Sequence, residues 1–143
     1  PAGTRFPNAL EFDPSRPERL YLACWADLEP GDFGGAGGQE VIDNQGGVLM
    51  SEDGGQTWTQ IYDPNAYVYA VTVAPVRTGR LYLVTFHNGA YRSDDRGASW
   101  GRIDGYNFYW GHRVVPDPQD TSKVYITTFG GSVFHGAPLV NGK

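Results

Sequence analysis

Cysteine and lysine are scarce in this chain, and each scarcity excludes something. Cys24 is the one cysteine, which rules out an internal disulfide and any multi-cysteine metal site, so no metal centre is expected from that source. Lysine occurs only at Lys123 and Lys143, and 11 basic residues stand against 16 acidic ones for a net charge of −5. No basic stripe is available to meet a phosphate backbone, and nucleic acid is not an expected partner. No apolar run approaches the roughly 18 residues that span a bilayer, and no charged start followed by an apolar stretch marks a secretion signal, so no membrane insertion is expected. A first residue of Pro1 and a last of Lys143, just after a strand-like segment, read as a piece cut from a longer protein.

What the chain has in quantity is turn chemistry. Its 143 residues include 20 glycines and 10 prolines, with 40% hydrophobic residues. That combination argues against long helices and against disorder, and for short strands joined by many turns within one domain.

A repeat of about forty residues organises the sequence. Segments 9–25, 70–86 and 113–129 align as strand, proline-bearing turn, strand; each carries a tyrosine at the same place (Tyr21, Tyr82, Tyr125) and ends on an aromatic residue (Trp25, Phe86, Phe129). A second pattern repeats in step. Residues 51–58 and 93–100 both read S-x-D-x-G-x-T/S-W, built on Ser51, Asp53, Gly55, Thr57 and Trp58 and on Ser93, Asp95, Gly97, Ser99 and Trp100. A third copy, aligned from Gly131 to His135, then decays. The octad has a mechanical meaning as a hairpin tip. The Asp carboxylate accepts from nearby backbone N–H groups, the glycine takes a positive φ, and the tryptophan buries a large ring that pins the turn.

These two octads resemble the Asp-box, or bacterial neuraminidase repeat, of β-propellers such as sialidases, xyloglucan-cleaving glucanases and sortilin-type receptors, and the resemblance covers nearly the whole chain. It implies an all-β fold of four-stranded antiparallel blades. Residues 1–62 form a first blade with an insertion at 26–46, residues 63–104 a second, and residues 105–143 a partial third. In the second blade, strands A to D are expected at 68–74, 80–86, 89–93 and 99–103. Propellers ordinarily close with 4–8 blades, so the missing blades are expected from a parent protein or from other copies. The family also implies an extracellular or periplasmic location.

Up-and-down connectivity puts the A–B and C–D turns on one face, which makes the octads structural, and collects the B–C and D–A links on the other. That second face gathers Tyr67, His87, Tyr106, Tyr109, Trp110 and Arg113 as candidate ligand contacts. Asp32, Glu40, Asp43 and His112 are the candidate catalytic groups. Rings stack on the apolar faces of sugars while carboxylates bind hydroxyls or move protons, so the expected ligand is a polysaccharide or other glycan. His112 with Tyr109 also suits a lyase-type proton abstraction. Tyr69 and Phe108 read as packing, and Cys24 as a buried, inert thiol. Asp27, Glu29 and Asp32 are candidate Ca²⁺ ligands, against the alternative that the insertion is a glycine-rich rim loop. Only Arg113 falls near a position of the arginine cluster that sialidases use, so sialic-acid chemistry is not implied. Three readings stay open: a glycoside hydrolase or lyase, a non-catalytic binding or assembly module, and a purely structural part of a larger ring.

Overall fold

The computed structural model describes residues 6–26 and 45–140. Eleven strands lie among them in three antiparallel sheets. The first holds β1 (Phe6–Asp13), β2 (Arg16–Trp25), β3 (Gly47–Ser51) and β4 (Thr59–Tyr62), in that order. The second holds β5 (Val68–Val73), β6 (Leu81–Thr85), β7 (Ala90–Ser93) and β8 (Gly101–Arg102), and the third holds β9 (Gly111–Pro116), β10 (Val124–Thr128) and β11 (Val133–Gly136). Each sheet is an up-and-down meander, the form expected of a propeller blade.

The sheets stack face to face, and the sequence of the middle one reflects that. Every residue of β6 is buried, as is nearly all of β5, because this blade is covered on both sides. Val71, Val73, Leu81 and Leu83 pack on Tyr21, Ala23 and Val48 of the first blade. Ala70, Tyr82, Val84 and Ala90 face Val114, Val124 and Ile126 of the third. The outer blades keep one side open. Leu10 and Phe12, which the repeat aligns with Val71 and Val73, are 48% and 57% exposed, against 2% and 4% for the two valines. On the far flank, Val115, Tyr125 and Val133 are likewise exposed.

The second blade departs from its expected strands chiefly at the last one. Ser99 gives its N–H to Asp95 Oδ1 at 2.8 Å and its hydroxyl to Oδ2 at 2.5 Å, so its amide serves the turn and the ladder begins only at Gly101. Both octads are built alike. The Ser51 hydroxyl donates to Asp53 Oδ1 and receives the Gly55 N–H, each at 2.8 Å, while Thr57 donates its N–H and hydroxyl to the carboxylate at 2.9 and 2.6 Å. Gly55 and Gly97 take φ of 91° and 89°. Each tip also bonds the turn end of the A–B hairpin of its own blade, Gly54 N–H to Glu18 O and Arg96 N–H to Gly79 O, both at 2.9 Å. A–B and C–D turns therefore share one face.

The third repeat corrects the sequence alignment by one residue. Tyr125 pairs with His135, as Tyr21 pairs with Met50 and Tyr82 with Arg92, so Ser132 and not Gly131 takes the place of Gly47 and Gly89. The B–C turn sets this register: the Thr128 hydroxyl donates to Ser132 O at 2.7 Å as the Thr85 hydroxyl does to Gly89 O at 3.0 Å. Ser132 accordingly has φ 78°, beside 80° and 90° for the two glycines. In this register Pro138 stands where the other repeats have their octad aspartate, and no turn forms. The segment after β11 instead crosses to the second blade, where Val140 bridges Ile103 and Asp104 donates to Leu139 O at 2.8 Å.

Candidate functional site

The B–C turns and D–A links meet on the face opposite the octads. Phe86 N–H donates to Tyr67 O at 2.9 Å, and Phe129 N–H to Trp110 O at 3.0 Å. This repeated bond ties the ring at the end of the B strand to the link that enters the blade in the second and third blades. A second regularity follows from the first. Trp25 stacks on Tyr67 with centroids 4.4 Å apart and planes at 21°, and Phe86 lies parallel to Trp110 at 6.2 Å and 23°. Tyr69 sits between the pairs, within 5.7 Å of Trp25, Tyr67, Phe86 and Phe129. The result is a continuous belt of rings across all three blades.

Of the expected contacts, Tyr67, His87 and Trp110 belong to this belt, and Tyr109 stands beside it at 60% exposure. The His87 ring packs edge-on against Phe86 at 4.4 Å, and burial lowers its pKa below the usual imidazole value, which keeps the ring neutral at pH 7. Its Nε2 and the Trp25 Nε1 are enclosed without a hydrogen-bond partner among the described residues. His112 reaches the belt from the third blade, edge-on to Phe129 at 4.9 Å, with Nδ1 3.2 Å from Thr127 Oγ1.

Two expected contacts lie elsewhere. Tyr106 is 4% exposed, its ring in the core between second and third blades against Phe134, and burial pushes its phenol up to about 12. Arg113 points to the inner edge, where Nη2 comes within 3.7 Å of Glu11 Oε2 and links the innermost strands of the first and third blades. The acidic candidates Asp32, Glu40 and Asp43, and the candidate Ca²⁺ ligands Asp27, Glu29 and Asp32, lie outside the described residues. Tyr69 and Phe108 pack against the core between second and third blades. Cys24 is fully buried, with its thiol pushed up to about 11 by burial, which leaves no thiolate for chemistry at neutral pH.

Sequence reasoning passed over Trp25, Phe86 and Phe129 as site residues. The signal was in the repeat itself, since all three aligned segments end on an aromatic ring. A core role does not require that ring to recur at the mouth of the sheet, where Phe129 is 43% exposed.

No family model matches the chain. A curated protein of Neosartorya fischeri, "Probable oligoxyloglucan-reducing end-specific xyloglucanase", is 27% identical in an alignment 110 residues long that covers 68% of this chain and 13% of that protein. Among solved structures, the GH74 xyloglucanase of Xanthomonas campestris aligns with 92% of this chain and 22% of its own, at a TM-score of 0.62 and 20% identity. YCF48 of Cyanidioschyzon merolae aligns with 92% of this chain and 34% of its own, at 0.59 and 18%. The fold is that of β-propeller blades, and the chain spans about an eighth of the curated relative it matches.

Proposed function

We propose that the chain supplies blades to a glycoside-hydrolase-like propeller of the Asp-box kind, and that its belt of rings forms part of a cleft for a neutral polysaccharide. The observation that carries this reading is the repeated stacking of Trp25 on Tyr67 and of Phe86 beside Trp110, a row of flat apolar faces in steps along one side of the ring. Pyranose rings offer apolar faces to such plates and hydroxyls to polar groups between them. The likeness to xyloglucanases supports a glucan backbone as the ligand class. Asp32, Glu40 and Asp43 are the carboxyl groups this reading assigns to the chemistry, and the further blades come from a parent protein. A substrate of polymer size places the work outside the cell.

Affinity electrophoresis in gels containing xyloglucan, with mannan as the contrasting polymer, tests the reading. Xyloglucan retards the protein, and Trp110→Ala weakens the retention roughly tenfold, the ~1–1.5 kcal/mol of one stacking contact. Equal mobility of wild type and variant in every gel overturns it. A binding-only module is the second reading, favoured by a described site made of rings. Release of reducing ends by the assembled propeller separates the two.

A further inference from the structure

A cleft of about 280 Å³ opens on the octad face between the A–B turns of the second and third blades, away from the belt of rings. One wall is the second repeat's own turn and the other is Pro116, Asp117 and Thr121 of the third, and the first repeat shows what normally fills such a place. There Asp13 is fully buried. Its Oδ2 accepts from Arg19 Nη1 at 2.9 Å, and its Oδ1 from the Ser15 N–H and hydroxyl at 2.8 and 2.7 Å. Ser15 Oγ in turn lies 3.1 Å from Thr78 Oγ1 of the second blade, which closes the seam. In the second repeat, Ala74 stands where Asp13 does, Val76 where Ser15 does, and Arg80 where Arg19 does; Thr121 faces the seam in place of Thr78. Ala74 brings no carboxylate, and Val76 makes no hydrogen bond to Thr121. The arginine remains, and the space remains.

The charge balance of the cleft also favours an anion. Asp94 is shared by three guanidiniums, with Arg80 Nε at 2.6 Å, Arg92 Nη2 at 2.9 Å and Arg77 Nη1 at 3.9 Å. The side chain of Arg77 is 62% exposed, and it meets Asp94 only at this long distance. Asp117, on the opposite wall, is already engaged: Oδ1 takes the N–H groups of Gln119 and Asp120 at 2.8 and 2.9 Å, and Oδ2 takes the Tyr125 hydroxyl at 3.1 Å. Of the charged residues that line the cleft itself, two are guanidiniums, Arg77 and Arg80, and one is the committed carboxylate of Asp117. The rest of the wall is Pro75, Val76, Pro116 and the Tyr82 ring.

We propose that this cleft receives an acidic side chain of a peptide partner, with an apolar neighbour against Val76 and the prolines, so that the incoming carboxylate meets Arg80 and Arg77 as Asp13 meets Arg19 within the first blade. The volume suits one or two residues. The site is on the face opposite the belt, so the partner and a glycan occupy the molecule together.

The test is a heteronuclear NMR titration of the 143-residue chain with acetyl-Phe-Asp-Pro-amide, which copies the first repeat's own turn, with its Asn analogue, and with glucuronate. The Asp peptide shifts the amides of Ala74, Val76, Arg77 and Thr121 to saturation, and the Asn peptide binds about tenfold more weakly or less, the loss expected for one charge-assisted hydrogen bond. Ala74→Asp supplies the carboxylate from within and abolishes the shifts. Arg77→Gln, a change at an exposed position, weakens binding about tenfold with the fold intact. Equal binding of the Asp and Asn peptides, no saturable shifts at these amides, or undiminished binding to either variant overturns the proposal. Tighter binding of glucuronate than of the peptide overturns it too, and assigns the cleft to an acidic sugar.

Discussion

The Trp100 indole donates to the carbonyl of Ile61 at 2.7 Å, across the gap between the second blade and the first. Trp58, its counterpart, meets no strand of a preceding blade among the described residues and turns back to Gly55 O of its own octad at 2.9 Å. The same ring in the same motif therefore seals an interface in one repeat and lies on an open flank in the other. Trp100→Phe removes a hydrogen bond that joins two blades and costs about 1–1.5 kcal/mol, whereas the bond lost in Trp58→Phe closes only its own octad and the cost there falls below about 1 kcal/mol. Urea unfolding midpoints of the two variants decide this; equal losses refute the distinction between sealed and open octads.

Ser132 holds a left-handed backbone that Gly47 and Gly89 hold in the other repeats. A non-glycine residue in that region costs roughly 1–2 kcal/mol, partly offset by the entropy that glycine loses on folding. Ser132→Gly should therefore raise stability by about 0.5–1 kcal/mol, read as a higher melting temperature. A lower one removes the reading of strain, and with it the register that puts Ser132 at this position.

The sequence carried the repeat well, because its signals are local. Each octad is a closed set of hydrogen bonds within eight residues, so Asp53 and Asp95 could be read as turn-makers without knowing what lies next to them. What failed was longer in range. The place of Ser132 depends on a Thr128 hydroxyl that caps the turn, and glycine at 131 offered a false match to glycine at 47 and 89. Tyr106 read as a ligand contact because four other rings surround it in sequence, yet which of those rings turns inward is decided by the neighbouring blade. The salt bridges Arg19–Glu52 and Arg80–Asp94, at 2.8 and 2.6 Å, repeat in step and went unread, since opposite charges 33 or 14 residues apart give no local sign of contact.

Asp53 makes the octad sensitive to acid. The Thr57 hydroxyl, then the Thr57 N–H and the Ser51 hydroxyl, hold its carboxyl at about 2, down from 3.8. A pKa lowered on folding means that the ionised form stabilises the turn. The contribution is whole above about pH 4, where the unfolded carboxyl is ionised too, and it drains away as pH falls toward 2. Carbonyl-detected NMR should give an Asp53 Cγ midpoint near 2 in the folded chain, with the Thr57 amide moving in step. A midpoint near 4 contradicts the hydrogen-bonded turn.

Leu10 and Phe12 carry the last prediction. Their counterparts Val71 and Val73 show what this strand face looks like when a neighbouring blade covers it, at 2% and 4% exposure against 48% and 57%. Leu22, Cys24 and Leu49 beside them are buried, with Trp58 packed on them, so the open part of this flank is Leu10 and Phe12, and blades hide such surfaces only against each other. Taken alone, the chain should associate through it. Light scattering should give a mass that rises with concentration, and the double substitution Leu10→Ser, Phe12→Ser should return it to that of the monomer, because both residues already meet solvent and their loss opens no cavity. When the wild-type chain is joined to further blades the association should vanish without any substitution. A mass that stays monomeric for the isolated chain at every concentration would mean that this flank needs no cover, and that the ring is not completed across it.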